Sequence, residues 1–312
     1  MVEAISSAVW SALRCPECGN RLVKSDNGAE CPACGQSYPY TEYGSLDLRL
    51  RQPKKYPLEF ELGNARLSGL NFPSDPLAKN PEPAVDFSGI QVPRHLTKEL
   101  LSFFPKARSA SSLILDLGCG DAVHKEVCTH AGFEWVGMDY QAREAPILAD
   151  AQSIPFEDGT FEFVLCVTVL QYVQFPFVAM REAFRVLKPQ GTLIGTVAFL
   201  EPSHGTSYYH PSHLGTYNLL QDAGFTVHKL APVTDWPALK AIASMGLFFR
   251  MPRPIAQAII APLQLFHTLW WRAGGLLTGR DLENVRLKHF AGSFIFIATR
   301  DDKRMTTARP GV

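Results

Sequence analysis

Between about residues 95 and 300, apolar runs typical of buried strands alternate with stretches of helical spacing. The apolar runs predict strands at 112–118, 134–139, 146–150, 161–170, 191–199, 225–230 and 293–300. Helical spacing predicts helices at 96–104, 121–132, 176–188 and 211–223. Strands that alternate with helices predict an α/β fold, a mainly parallel sheet covered by helices on both faces.

The pattern changes on either side of this region. Residues 1–55 are rich in cysteine and predict a small separate domain. Residues 56–94 carry five prolines within 72–94, which favours a linker or a wrapping segment. We place the main domain at 95–300, with a helical cap inserted at 241–290, and a frayed polar tail at 301–312.

Composition narrows the class of protein. The 312 residues are 46% hydrophobic and 19% charged, so the chain can bury a large core and is not mainly disordered. Thirty Lys and Arg balance thirty Asp and Glu, so the net charge does not attract nucleic acid. A local patch of basic residues is still compatible with this balance. The first residues lack a basic start followed by an apolar run, so we expect no signal peptide and a cytoplasmic protein.

Four of the seven cysteines lie in two Cys-x-x-Cys-Gly turns, Cys15 with Cys18 and Cys31 with Cys34. Each turn presents two thiolates to one ion, and two such turns complete a tetrahedral site that suits Zn²⁺. The metal would stabilise a domain too small to fold by apolar burial alone. Four thiolates leave no open coordination position, so the site is structural; redox pairs and unligated core cysteines are the alternatives.

A glycine loop follows the first predicted strand of the main domain. Gly118 and Gly120 in the motif LDLGCGD let the backbone turn sharply and approach a ligand at a helix N-terminus. A dinucleotide fingerprint would need a third glycine where Val123 stands. Two strand ends then supply acids: Asp139 can accept from ribose hydroxyls, and Asp150 can accept from an adenine amine.

The motifs LDLGCG, GMD, AD-x₃-IPFEDGTFEFVL and LKPQGTL follow one another over residues 112–199. This run resembles the class I S-adenosylmethionine-dependent methyltransferases of the large small-molecule subgroup, with Glu162 where the subgroup more often has aspartate. The resemblance implies a Rossmann-like seven-stranded sheet and S-adenosylmethionine as cofactor. It also implies cofactor contacts from ten residues: Asp116, Gly118, Cys119, Gly120, Asp139, Tyr140, Asp150, Ala151, Cys166 and Thr168.

On that resemblance, the two glycines pass under the methionine moiety and Asp116 orders its ammonium group. Cys166 and Thr168 would lie at a strand end beneath the sulfonium. The cysteine-rich region 1–55 resembles the small zinc-ribbon domains that accompany methyltransferases as fused modules or activator subunits.

The segment after the fifth strand offers groups for acid–base chemistry. His204, Tyr209 and His210 lie there, at the edge of an open α/β sheet where ligands bind. Histidine is the natural proton acceptor for a hydroxyl or amine near neutral pH. We predict that His204 or His210 contacts the acceptor with Tyr209 beside it; a polar surface loop is the alternative.

Residues 241–280 carry four arginines and no acidic residue among many Leu, Ile, Phe and Trp residues. Three interpretations remain open: a lid over an apolar substrate, a surface that rests on anionic lipid, and ordinary packing of extra helices. The second would make the protein peripheral to a membrane.

Together these features predict a methyltransferase that acts on an oxygen or nitrogen atom of a small, lipophilic or glycosylated acceptor. One alternative is an RNA base methyltransferase, for ribosomal or transfer RNA, in which the ribbon grips the RNA. The balanced charge counts against nucleic acid. The other alternative is a non-catalytic scaffold. The oligomeric state is not predicted.

Overall fold

The computed structural model describes residues 5–57, 59, 77–200 and 206–301. The strands in chain order are β1 (Val23–Ser25), β2 (Gly28–Glu30), β3 (Ser37–Pro39), β4 (Leu46–Asp47), β5 (Leu113–Leu117), β6 (Glu134–Asp139), β7 (Ile147–Leu148), β8 (Phe161–Val167), β9 (Leu187–Ala198), β10 (Thr226–Pro232) and β11 (Ser293–Thr299). The helices are α1 (Ser7–Ala12), α2 (Lys98–Ser102), α3 (Lys125–His130), α4 (Pro176–Val186), α5 (His213–Asp222), α6 (Ala238–Ser244), α7 (Arg253–Thr278) and α8 (Glu283–His289).

Eight strands form one sheet in the order β10-β11-β9-β8-β5-β6-β7-β4. The strands from β9 to β4 in this order pair in parallel, whereas β11 is antiparallel to both of its neighbours. The α/β class and the mainly parallel sheet are therefore confirmed. Seven of the strands belong to the predicted main region, and the eighth, β4, comes from the cysteine-rich part of the chain.

The core lies on both faces of this sheet. Leu113, Leu115 and Leu117 of β5 pack into one buried cluster, and Ile114 between them packs into the other. Successive side chains of a strand point to opposite faces, so a strand covered on both sides must be apolar throughout. This is why the strands of the sheet appear in the sequence as continuous apolar runs.

Two element boundaries differ from the predicted ones. We predicted that the helix before the fifth strand would end near residue 188, but α4 ends at Val186 and β9 starts at once, because Leu187 pairs with Phe161. α3 starts at Lys125 instead of near 121, because Ala122 has a left-handed φ of 56° that keeps the preceding loop out of the helix.

The cysteine-rich region adds its own three-stranded antiparallel sheet, β1-β2-β3, and is joined to the main sheet by backbone hydrogen bonds. Strand β4 pairs in parallel with β7 at the sheet edge. The Arg14 amide donates to the Pro155 carbonyl at 2.9 Å, and the Glu157 amide donates to the Ala12 carbonyl at 2.9 Å. The region is thus attached along the strand β7 side of the sheet, next to the loop that follows β7.

Helices α6, α7 and α8 lie between β10 and β11, which confirms the predicted helical C-terminal region. Pro232 at the end of β10 pairs with Phe294, and Ser293 pairs with Ala198 at the end of β9. The three helices therefore leave and rejoin the sheet at the carboxyl edge of its parallel strands. Within the described chain, no helix combines the length and the apolar character that crossing a bilayer requires.

Candidate active site

The glycine loop lies at the carboxyl end of β5 and is fixed by backbone hydrogen bonds to β6. The amides of Gly118 and Cys119 both donate to the Met138 carbonyl, at 2.7 and 3.1 Å. Gly118 has φ +72°, and a Cβ there would overlap the Val169 side chain. Gly120 has φ +51°, and a Cβ there would meet nothing within 4 Å. Gly118 thus allows close packing inside the protein, and Gly120 leaves its backbone open to a ligand.

Asp139 ends β6 beside this loop. Its Oδ2 accepts from the Gly120 amide at 3.1 Å, and its Oδ1 accepts from the amides of Gln141 and Ala142 at 3.0 Å. These bonds hold the carboxylate at the open side of the loop, and Oδ2 keeps acceptor capacity for a hydroxyl group. Tyr140 follows with an exposed ring. The arrangement fits the predicted grip on a ribose.

Asp150 lies in the loop after β7 and is held in a similar way. Its Oδ1 accepts from the amide and the side-chain Nε2 of Gln152, at 2.8 and 3.0 Å. The Gln152 Oε1 accepts from the Phe175 amide at 2.9 Å, which ties this loop to the start of α4. Ala151 between the two is half-buried. Hydrogen bonds along the loop therefore set the position of the carboxylate predicted to contact adenine.

Thr168 follows β8 on the same edge, in an unusual backbone conformation. Its φ is +55°, which a β-branched residue rarely adopts, and its side chain is exposed. Its amide donates to the Thr196 carbonyl at 3.1 Å, which holds the turn in place. Strain of this kind is concentrated at functional sites.

The two cysteines predicted at the cofactor site are buried. Cys166 is fully buried in β8, and burial raises the pKa of its thiol to about 12. Burial, with the Asp116 and Asp139 carboxylates nearby, also raises the pKa of Cys119 far above its ordinary value. Both thiols are therefore neutral near pH 7 and unsuited to act as nucleophiles. Cys166 packs in the core cluster, so the structure gives its side chain no place on the open surface.

The carboxylate of Asp116 is fully buried and takes part in a polar cluster beneath the glycine loop. It accepts from His124 Nδ1 at 3.0 Å and from Trp135 Nε1 at 3.0 Å. His124 Nε2 lies 2.5 Å from His95 Nε2. With Nδ1–H directed at the carboxylate, a neutral His124 accepts at Nε2 from the Nε2–H of His95. Asp116 thus supports the loop from inside, and its predicted contact with the cofactor's ammonium group stays a prediction.

The sequence pattern does not predict the roles of His95, His124 and Trp135 in this cluster. His124 is buried. Burial, followed by the neighbouring His124, lowers the pKa of His95 to about 4. The two partners of Asp116, and His95 behind His124, come from separate elements of the chain, so no spacing pattern joins them.

The structure places Tyr209 and His210 together in the wall of a cleft of about 630 Å³; His204 lies outside the described residues. The opposite walls are mostly apolar and come from the start of α4, from α5 and from the chain after β4. The residues that define these walls are Lys54, Tyr56, Phe175, Pro176, Phe177 and Leu219. The residues of the glycine loop do not line the cleft.

Hydrogen bonds connect this cleft with the strand end that carries Thr168. The Tyr209 amide donates to the Gln171 carbonyl at 3.3 Å, and Gln171 Nε2 donates to the Thr168 carbonyl at 2.8 Å. His210 Nε2 lies 2.9 Å from Ser207 Oγ, and His210 Nδ1 is buried without a partner among the described residues. The cleft is therefore linked to the strand end of Thr168, and one unpartnered nitrogen of His210 is buried in its wall.

The four predicted metal ligands come together. The Sγ atoms of Cys15, Cys18, Cys31 and Cys34 all lie within 4.8 Å of one another. Cys15 and Cys34 are 3.6 Å apart and Cys18 and Cys31 are 3.5 Å apart. Zn–S bonds of about 2.3 Å in a tetrahedron require sulfurs about 3.8 Å apart, so the donor set fits Zn²⁺.

Bonds to neighbouring side chains support this cluster. Tyr38 is fully buried and its hydroxyl lies 3.1 Å from Cys15 Sγ. Burial would raise the pKa of the Cys18 thiol, but hydrogen bonds from Asn20 outweigh it and lower that pKa to about 6. Burial raises the pKa of Cys15, and despite a backbone hydrogen bond from Gln36 the neighbouring thiols raise the pKa of Cys34 to about 12. Of these three thiols, Cys18 is therefore the most readily available as the thiolate that binds a metal.

The first cysteine turn also contacts the loop that carries Asp150. The Pro16 carbonyl accepts from Ser153 Oγ at 3.0 Å and from Lys54 Nζ at 2.7 Å. The Ser153 amide in turn donates to the Asp150 carbonyl at 2.9 Å. A single hydrogen-bonded path therefore leads from the cysteine cluster to the adenine side of the candidate cofactor site.

Comparison with known proteins agrees with this geometry. The family model described as "Methyltransferase domain" matches residues 115–195. A demethylmenaquinone methyltransferase of Mycolicibacterium gilvum is 31% identical over 150 residues, 41% of this chain and 65% of that protein. A ubiquinone biosynthesis O-methyltransferase of Pseudomonas paraeruginosa is 25% identical over 172 residues, 43% of this chain and 73% of that protein.

A solved S-adenosylmethionine-dependent methyltransferase from Mesorhizobium loti covers 64% of this chain and 94% of its own, with 14% identity and a TM-score of 0.41. Three curated relatives are matched over only 40%, 43% and 65% of their own length. The family match covers the glycine loop, both strand-end acids and strand β8. Residues 115–195 therefore match the methyltransferase domain family, and the chain spans about half the length of the first curated relatives.

Proposed function

We propose that the protein transfers the methyl group of S-adenosylmethionine to an oxygen or nitrogen atom of a small lipophilic acceptor. The observation that carries the proposal is the open space beside the Cα of Gly120, between the fixed carboxylate of Asp139 and the strained turn at Thr168. A mostly apolar cleft, with an unpartnered nitrogen of His210 buried in its wall, is linked to Thr168 by hydrogen bonds. The cofactor supplies an electrophilic methyl group on a sulfonium.

The chain's own residues would bind the cofactor, orient the acceptor and remove its proton. Gly118 and Gly120 would pass under the methionine moiety, Asp139 would accept from the ribose hydroxyls, and Asp150 would accept from the adenine amine. The Gln152 and Gln171 contacts hold the strand ends in fixed positions. Fixed positions matter because alignment of the acceptor with the methyl group supplies much of the rate in such a displacement.

His210 is the candidate base. When its Nε2–H donates to Ser207 Oγ, Nδ1 carries the lone pair and can take a proton from an acceptor hydroxyl or amine. Tyr209 beside it supplies a ring that packs on an apolar acceptor. His204, outside the described residues, stays a second candidate.

Two relatives support a lipophilic acceptor, because their names assign them to demethylmenaquinone methylation and ubiquinone biosynthesis. The apolar lining of the cleft by Phe175, Pro176 and Phe177 agrees with such a ligand. We also propose that the four cysteines hold a structural Zn²⁺, and that the protein works in the cytoplasm with peripheral contact to a membrane through residues 241–280.

The test combines binding and turnover. Calorimetry with S-adenosylhomocysteine should show one site, and labelled S-adenosylmethionine should methylate a short-chain demethylated quinone. His210→Ala should lower kcat by about 100-fold or more and leave the Kd for S-adenosylhomocysteine unchanged. His228→Ala, at an exposed histidine on β10, is the matched control. Absence of cofactor binding would refute the enzyme proposal, and full turnover by His210→Ala would refute the base.

A further inference from the structure

Helix α7 leaves most of its large apolar side chains exposed, whereas several polar side chains lie half-buried beside Ala256, Ile260 and Trp271. Gln257, Gln264, His267 and Thr268 are half-buried, and Gln257 Nε2 donates to Ser244 Oγ of α6 at 2.7 Å. A helix that simply extends a protein core has the opposite arrangement. Ordinary packing of extra helices accounts for the inward side of α7 but not for the apolar residues on its outward side.

The outward face forms a continuous apolar stripe. Its residues are all exposed and follow at intervals of three or four, with Leu269 and Trp270 both one turn after Phe266: Ile255, Ile259, Leu263, Phe266, Leu269 and Trp270. Phe266 is 62% exposed and Trp270 is 69% exposed. At about 1.5 Å per residue the stripe from Ile255 to Trp270 is about 22 Å long. An exposed apolar surface of this length marks an interaction site.

The Asp, Glu, Lys and Arg residues within 241–280 are all arginines, one of which, Arg272, lies near Glu283 of α8. Arg250 and Arg253 lie at the start of α7, Arg272 and Arg280 lie at or beyond its last turns, and no acidic residue occurs between 241 and 280. Arginines at a helix N-terminus oppose the helix dipole, so helix stability does not explain the first pair. A negatively charged partner does.

The same charges argue against a second copy of the chain as that partner. A two-fold interface brings identical surfaces together, so eight arginines would face one another without an acidic residue from this segment. An anionic bilayer instead offers hydrocarbon for the stripe and phosphate groups for the arginines. Tryptophan and arginine beside an apolar face are typical of helices that lie in the headgroup region.

We propose that α7 lies flat on an anionic membrane surface and that the protein takes its lipophilic acceptor from that membrane. The three helices leave the sheet at the end of β10 and return at Ser293, at the carboxyl edge that carries the glycine loop and Thr168. The docked surface and the candidate active site therefore belong to the same edge of the sheet. The origin of the acceptor rests on the proposed function; the membrane contact does not.

The full-length protein should be sedimented with vesicles of phosphatidylcholine alone and with vesicles that contain about 30 mol% phosphatidylglycerol. We expect binding about tenfold tighter or more to the anionic vesicles, and loss of this difference in about 0.5 M salt. Trp270→Glu and Phe266→Glu should each weaken binding by about tenfold or more. The control Val23→Glu introduces the same charge at a 53% exposed apolar position of β1 and should bind like the parent.

A second measurement does not depend on a glutamate variant. Brominated lipids should quench the tryptophan fluorescence of the parent more than that of Trp270→Phe. Equal binding to neutral and anionic vesicles, or no binding to either, would overturn the proposal. The proposal would also be overturned if the protein formed a concentration-dependent dimer that Trp270→Glu dissociates, and did not bind vesicles. Vesicle binding without S-adenosylhomocysteine binding would leave the membrane contact standing and remove the proposed function.

Discussion

Two alanine substitutions in the glycine loop should have different effects, one mainly on stability and one mainly on cofactor affinity, because the two glycines face different surroundings. At Gly118 an alanine adopts a left-handed φ, which costs roughly 1–2 kcal/mol. Its Cβ also overlaps the Val169 side chain, and such overpacking costs roughly 1–3 kcal/mol. We expect Gly118→Ala to lower stability by about 3 kcal/mol and the Tm by about 6–12 °C.

At Gly120 the φ of +51° also costs an alanine roughly 1 kcal/mol, but the Cβ meets no protein atom within 4 Å. The Tm should therefore fall by only about 2–4 °C. The methyl group would instead occupy space that the proposed cofactor needs. We expect the Kd for S-adenosylhomocysteine to rise by about tenfold or more, equivalent to about 1.4 kcal/mol.

Two measurements are made on both variants and on the double variant Gly118→Ala with Val169→Ala. Thermal unfolding gives the Tm, and titration calorimetry gives the Kd for S-adenosylhomocysteine. Shortening Val169 removes the overlap, so the double variant should be more stable than the sum of the single changes predicts. Additive losses would show that the overlap with Val169 is not the cause. A large Tm loss in Gly120→Ala with unchanged cofactor affinity would refute the distinction between the two glycines.

Two further predictions concern the cysteine cluster and the buried histidines. Removal of zinc by a chelator should weaken S-adenosylhomocysteine binding by about tenfold, because the Pro16 carbonyl holds Ser153 in the loop of Asp150; an unchanged Kd in metal-free protein would contradict this path. Burial lowers the pKa of His95 to about 4, so protonation favours the unfolded chain, and the stability present above pH 6.5 should be lost as pH falls toward 4. His95→Gln should flatten the fall in Tm between those pH values, and an equally steep fall in the variant would show that other groups cause it.

The main sheet could be predicted because its strands are buried on both faces. β5 and β8 are almost entirely apolar, and the residues between them show the usual patterns of turns and helices. The sequence therefore predicts both the order of the elements and the α/β fold class. β4 could not be predicted, because Leu46 and Asp47 are too few to show a period. Its place is set by pairing with β7, a contact about a hundred residues away.

The candidate site was predictable to the extent that its chemistry lies in local motifs. Gly118, Gly120, Asp139 and Asp150 are recognisable by type and position, whereas the interior partners of Asp116 are brought together only by folding. Burial of Cys166 likewise follows from the register of β8 against β9. A motif can show that a residue lies at a strand end, but not which way its side chain points.

The sequence likewise does not show which side of α7 faces outward. The structure shows it, and this relates the helix to the carboxyl edge of the sheet. The first cysteine turn contacts this edge at Ser153, in the loop after β7. Helices α6 to α8 leave the edge at β10, at the opposite end of the strand order. The glycine loop and Thr168 lie between these two additions. Because the two additions contact opposite ends of one edge, their effects should separate. Loss of the metal from the cysteine-rich region should weaken cofactor binding. Charged substitutions on the outward face of α7 should instead reduce the access of a lipophilic acceptor.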